Sequence, residues 1–269
     1  MNTGVWADAD AQAGWVAMWQ ATAEAYRGNP AVVGYDLMVE PNSNHLGADA
    51  VAGRLEVWEP ETFAAQYGGT LYDWNGLHPR ILAAIRAVDP DMPVLIGGNG
   101  YSAVGWLPFT AVGGDAHTVY TVHEYEPFAY THQEPGDGVG YPGTLDIDWD
   151  GAADRFDAGG IDRLLAPVDG FMAAHDAPVA VTEFGAVRWA PGVAPFLADR
   201  IATFERRGLN WTVWNWPVAY APTAAGDNAF SPGFGPDPDR TAPASDAPAL
   251  DALRAGWRAN AARPSNTHF

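Results

Sequence analysis

Cysteine is absent from the chain, so no disulfide contributes to its stability and its redox compartment cannot be read from thiol usage. Lysine is absent as well: all 14 basic residues are arginine, set against 33 acidic ones. The resulting net charge of −19 argues against nucleic acid and against an anionic membrane surface as partners. No apolar run approaches the ~20 residues of a membrane span. Met1-Asn2-Thr3-Gly4 opens no signal peptide, since neither a basic end nor an apolar stretch follows. Neither GxGxxG nor GxxxxGK[ST] occurs, which leaves a nucleotide fold without its phosphate signature. No internal repeat is found. Nor is there an HExxH or other paired ligand spacing, so no metal and no cofactor is expected, and His45, His78 and His132 read as polar residues of loops and helices. Asp146, Asp148 and Asp150 alternate like a calcium loop but lack the distal glutamate of an EF-hand, and read as a solvated acidic loop.

The chain is rich in apolar and aromatic residues, with 48% hydrophobic residues and 12 tryptophans. Its 269 residues suffice for one sizeable core, as in a barrel, or for two small ones. Helical spacing runs from Asp10 to Tyr26, with Trp15, Met18, Trp19, Thr22 and Tyr26 on one side and Asp8 or Asp10 as cap. A strand is expected at Val32–Leu37, an irregular stretch at Asn42–Gly69, and a helix at Leu71–Val88 stopped by Asp89-Pro90. Strands follow at Val94–Asn99 and Thr118–His123, then a long Gly-, Pro- and Asp-rich insertion at Glu124–Gly160. Ile161–His175 reads as a helix interrupted near Pro167, Val179–Thr182 as a strand, Ala194–Arg207 as a helix ended by Gly208, and Leu209–Trp214 as a fifth strand. After a loop at residues 221–245, Ala249–Ala261 closes the chain as a helix, with frayed residues beyond it. Short apolar strands alternating with amphipathic helices predict an α/β fold, a parallel sheet with helices outside.

Two of these strands end in the same way. Val32 to Leu37 leads into Glu40-Pro41, and Val179 to Thr182 leads into Glu183-Phe184-Gly185. An acid at the C-terminal mouth of a parallel strand is where an α/β barrel keeps its chemistry. The plainer reading, a surface glutamate before a turn, fits either one alone, and the repetition favours the functional reading.

These residues resemble glycoside hydrolase family 5, the cellulase family of retaining (β/α)8-barrel glycosidases. Glu40 and Pro41 match the family's Asn-Glu-Pro, which carries the acid/base after strand four. His123-Glu124-Tyr125 matches His-x-Tyr after strand six, and Pro127-Phe128-Ala129-Tyr130-Thr131-His132-Gln133 is similar to a run in some members. Glu183-Phe184-Gly185 matches the Glu-Phe-Gly of the nucleophile after strand seven, and Trp214 resembles the strand-eight tryptophan that supports the sugar. The motifs stand in family order over residues 10–220. The resemblance implies a TIM (β/α)8 barrel in which Glu40 is the acid/base, Glu183 is the nucleophile, and His123, Tyr125 and Trp214 are substrate-binding.

Two departures accompany the match. The family's first three strands have no counterpart, so five parallel strands are expected in a single incomplete barrel domain over residues 1–269. Its open edges are expected to leave these residues, expressed alone, insoluble or molten and catalytically silent. In addition, Val39 stands where the family has an asparagine that donates to the sugar 2-hydroxyl. Retaining cleavage needs a protonated acid and an ionised nucleophile, which are the parts assigned to Glu40 and Glu183. The expected activity is hydrolysis of a β-linked glucan, in the manner of an endoglucanase. A β-mannanase and a non-catalytic carbohydrate-binding relic are the alternatives, and a lyase would need chemistry unrelated to this pair. The expected partner is an oligo- or polysaccharide and the expected state a monomer. The resemblance suggests secretion, although the chain carries no signal peptide.

Overall fold

The structure, a computed structural model, describes residues 3–47, 53–113, 115–216, 228–240 and 242–260. Along the chain lie α1 (Ala9–Tyr26), β1 (Tyr35–Asp36), β2 (His45–Leu46), β3 (Leu55–Glu56), α2 (Pro60–Tyr67), α3 (Trp74–Arg86), β4 (Val94–Gly97) and β5 (Thr118–Glu124). They are followed by α4 (Phe128–Thr131), β6 (Gly143–Leu145), β7 (Asp154–Phe156), α5 (Ala158–Leu164), α6 (Ala166–His175), β8 (Val179–Phe184), α7 (Val193–Arg206), β9 (Asn210–Trp211) and α8 (Pro248–Ala259). Five of the strands form one parallel sheet in the order β1-β4-β5-β8-β9, and β2/β3 and β6/β7 are separate antiparallel hairpins. Among the described residues β1 and β9 end that order, so the sheet does not close into a ring.

Two compact units divide the chain. The first comprises residues 1–123 and 167–180. In it the Asp8 carboxylate caps α1 by accepting from the Asp10 and Ala11 N–H groups. α3 buries Trp74, Leu77, His78, Ile81, Leu82 and Ile85, an i, i+3, i+4 stripe. Trp15 of α1 packs on Trp74 with ring centroids 6.1 Å apart, and the Trp74 Nε1–H donates to the Gly97 carbonyl at the end of β4 (2.8 Å). His78 is enclosed in this core, and burial pulls its pKa down to about 4, so it is a neutral core residue. The first helix turns out differently from its spacing. Met18 and Tyr26 are exposed, and the buried positions are Gln12 and Ala23. Gln12 is held there by bonds to the Leu71 carbonyl and to Arg80.

The second unit comprises residues 124–166 and 181–269. Its core is aromatic: Tyr130, Tyr141, Phe156 and Phe196 meet with centroids 4.9–6.3 Å apart. α7 buries Phe196, Leu197, Arg200, Ile201, Thr203 and Phe204. α8 crosses it at Gly256, where a Cβ would press against Ile201 and Trp211.

The expected strands are present but shorter at both ends of the sheet. Val33 is 84% exposed and pairing begins only at Tyr35, because an outer strand has one neighbour to order it. β9 likewise ends at Trp211, before the expected Trp214, although the Thr212 and Trp214 N–H groups still donate to the Val181 and Phe184 carbonyls (2.9 Å each). The stretch 42–69, expected to be irregular, contains hairpin β2/β3 and helix α2. Its strands are two residues long, too short to show alternation in the sequence. The break near Pro167 appears as the junction of α5 and α6. The loop expected at 221–245 falls partly outside the described residues, and the frayed end expected beyond Ala261 falls wholly outside them.

Candidate active site

In the first unit the chain leaves β1 and turns at Glu40, whose φ of 55° is left-handed for a residue with a side chain. Such a conformation costs on the order of 1–3 kcal/mol and persists only where its surroundings determine it. The residues that follow supply that determination. Pro41 presents its carbonyl to the Tyr101 N–H (2.9 Å). The Ser43 N–H and hydroxyl both donate to the Asn99 side chain (3.0 and 3.2 Å), and the Asn44 side chain accepts from the Gly100 N–H (3.2 Å). Asn42, Ser43, Asn44 and Asn99 are all buried. The bonds of Ser43 and Asn44 to Asn99 and Gly100 fix the turn after Glu40 against the turn after β4.

His123 comes from the end of β5. Its N–H donates to the Ser102 carbonyl (2.9 Å), and its Nδ1 is hydrogen-bonded to Glu40 Oε1 at 2.9 Å. The imidazole is 4% exposed and the Glu40 side chain 34%, so a carboxyl open to solvent is held from behind by a buried ring.

In the second unit the Tyr125 hydroxyl donates to Glu183 Oε2 at 2.8 Å. Tyr125 is itself placed by the Thr131 hydroxyl, which donates to its carbonyl (2.6 Å), and by edge contacts with His132 and Phe230. Glu183 is the fifth residue of β8, and the Trp214 N–H donates to the Phe184 carbonyl beside it (2.9 Å). The Trp214 carbonyl lies where a Cβ on Gly185 would have to go, which is why glycine follows Glu183-Phe184. Trp214 has half of its surface open to solvent.

Beneath Tyr125 lies a fully enclosed ion pair. Glu124 and Arg200 meet at 2.7 Å with side chains at most 1% exposed, and Arg200 also donates to the Glu126 carbonyl. Burial pushes the Glu124 carboxyl up to about 7, with Arg200 pulling the other way.

The five residues expected from the sequence therefore fall into two constellations: Glu40 with His123, and Glu183 with Tyr125 and the backbone of Trp214. Val39 beside Glu40 is exposed. Sequence reasoning missed the Ser43, Asn44 and Asn99 network and the Glu124–Arg200 pair. Their signals were available. Pro41-Asn42-Ser43-Asn44 is a run of short hydrogen-bonding side chains directly after the carboxylate, and Arg200 interrupts an otherwise apolar helix stripe. Of the other acidic groups, Asp146, Asp148 and Asp150 bring one carboxylate oxygen each within 4.8 Å of one another, and Asp146 accepts from the Gly151 N–H (3.0 Å).

Comparison with known proteins bears on the family and on the fold. Over 61 residues the chain is 41% identical to endoglucanase C of Acetivibrio thermocellus; the stretch is 23% of this chain and 18% of that protein. Among solved structures, a glycoside hydrolase superposes with a TM-score of 0.66 at 21% identity, covering 94% of this chain and 69% of that one. Thermotoga maritima Cel5A in complex with cellobiose superposes with a TM-score of 0.63 at 19% identity, covering 93% and 69%. These likenesses show the fold, an α/β architecture of the TIM-barrel type carried here by five parallel strands. The sequence profile of the cellulase family matches residues 4–219. On that match the chain belongs to the cellulase family, glycosyl hydrolase family 5.

Proposed function

We propose that this chain carries the active site of a retaining β-glycosidase acting on a β-linked glucan, in the manner of an endoglucanase. Its five strands stand for strands four to eight of the family barrel. Glu40 is the acid/base: it protonates the glycosidic oxygen as the C–O bond breaks. Glu183 is the nucleophile: its carboxylate attacks the anomeric carbon and forms a glycosyl ester. Water then cleaves that ester as Glu40 takes the proton back. The observation that carries the reading is the donation from the Tyr125 hydroxyl to Glu183, which aims the attacking carboxylate. His123 orients Glu40, and Trp214 offers a flat apolar face to a sugar. Val39 contributes no donor to the 2-hydroxyl, so a water or another side chain takes that place. The substrate is an oligo- or polysaccharide and the working unit a monomer.

The test uses the protein as its gene encodes it, with 4-nitrophenyl β-cellobioside and NMR of the first-formed sugar. Retention is expected: the β-anomer appears first. An α-anomer appearing first would show inversion, and binding without release would mark a carbohydrate-binding relic. A β-mannanase is the second reading, because Thermotoga maritima Cel5A is also known in complex with mannotriose. Relative rates on glucan and mannan oligosaccharides decide between the two.

A further inference from the structure

Trp58 lies in the first unit and belongs to neither carboxylate constellation. The ring follows hairpin β2/β3 and is 49% exposed, which is unusual for an indole that also packs against two other rings. It stacks on Tyr101 with centroids 6.1 Å apart and planes 18° from parallel, and His45 lies 4.7 Å away on the same cluster. His45 Nδ1 and the Tyr101 hydroxyl are hydrogen-bonded at 2.8 Å, which locks the supporting pair.

The cluster is tied directly to the turn that carries Glu40. The Val57 N–H donates to the Asn44 carbonyl (2.9 Å), and the Asn44 side-chain amide donates back to the Val57 carbonyl (3.2 Å). Tyr101 is bound through its N–H to the Pro41 carbonyl (2.9 Å). The backbone of Tyr101 and that of Val57, the residue before Trp58, are therefore bonded to residues within four positions of the acid. Glu56 and Arg54 pair beside the indole at 2.8 Å and give it a polar rim. A flat ring, rigidly supported, half open and edged with hydrogen-bonding groups, suits a pyranose: C–H groups on its face and hydroxyls around its edge.

We infer that Trp58 is a sugar-binding platform for the leaving-group side of the substrate. The inference rests on the proposed function for its chemistry. The acid serves the departing oxygen and the nucleophile serves the anomeric carbon of the other sugar, so a ring fastened to the acid's own turn meets the departing part of the chain.

The test compares Trp58→Ala and Trp58→Phe with wild type on cellopentaose, whose leaving portion is sugar, and on 4-nitrophenyl β-cellobioside, whose leaving portion is an aryl group. The ratio of kcat/KM for cellopentaose to that for the aryl substrate falls about tenfold in Trp58→Ala. Trp58→Phe, which keeps an aromatic face and controls for folding, recovers part of it. An unchanged ratio in Trp58→Ala overturns the inference. If the wild type cleaves neither substrate, the proposed function has failed and the platform is judged by calorimetric binding of cellopentaose: weaker binding in Trp58→Ala sustains it, and equal binding, or none in the wild type, overturns it.

Discussion

At the scale of single residues, the site depends on side chains and glycines whose surroundings allow one choice. Gly185 shows this most simply. The Trp214 carbonyl occupies the space of a Cβ, so Gly185→Ala must displace either the end of β8, with Glu183 on it, or Trp214. The expected result is a loss of about 1–3 kcal/mol in urea-denaturation stability together with a fall in kcat. A variant with wild-type stability and rate would show that the collision is relieved without moving the site. Glu40 was legible as an acid ahead of a proline, but its left-handed backbone was not. That conformation is imposed by Asn99, Gly100 and Tyr101, all more than 55 positions away, and no local pattern announces it.

At the scale of elements, the helices were the legible part and the outer strands the least. α3 and α7 carry apolar stripes of helical period, and their expected spans agree with the structure to within three residues at each end. β1 and β9 are two residues long each, and so short a strand leaves almost no signal. The same stripe on α7 holds the arginine that joins helix to site. Arg200 faces Glu124 inside the unit, between the two residues that touch the candidate carboxylates. The native carboxyl keeps its proton up to about 7, whereas the unfolded one releases it near 4.5. The native state thus binds more protons across that window, and stability from this group is present at low pH and lost as pH rises through it. Melting curves at pH 5 and pH 8 should accordingly show a drop in wild type that is smaller in Glu124→Gln. An equal drop in both would mean that Glu124 titrates at its ordinary value. Arg200→Met, which leaves a buried carboxyl without its counter-charge, should cost about 3–5 kcal/mol at pH 8 by denaturant unfolding.

At the scale of the whole molecule, family membership follows from motifs in the right order, and the fold from strands and helices in alternation. The division of these residues between two compact units was not legible, since the motifs give only sequence order: Glu40 and His123 belong to one unit, and Tyr125 and Glu183 to the other. The account requires the two carboxylates to act on one glycosidic bond, which in a retaining enzyme means carboxyl groups ~5–5.5 Å apart. Azide rescue tests that requirement in solution. With 2,4-dinitrophenyl β-cellobioside, Glu40→Ala should still form the glycosyl-enzyme, because the leaving group needs no proton. Added azide should then release it as the β-cellobiosyl azide. Glu183→Ala should be inactive, and azide should give no β-product. A β-azide from Glu183→Ala, with none from Glu40→Ala, would contradict the assignment and reverse the two roles.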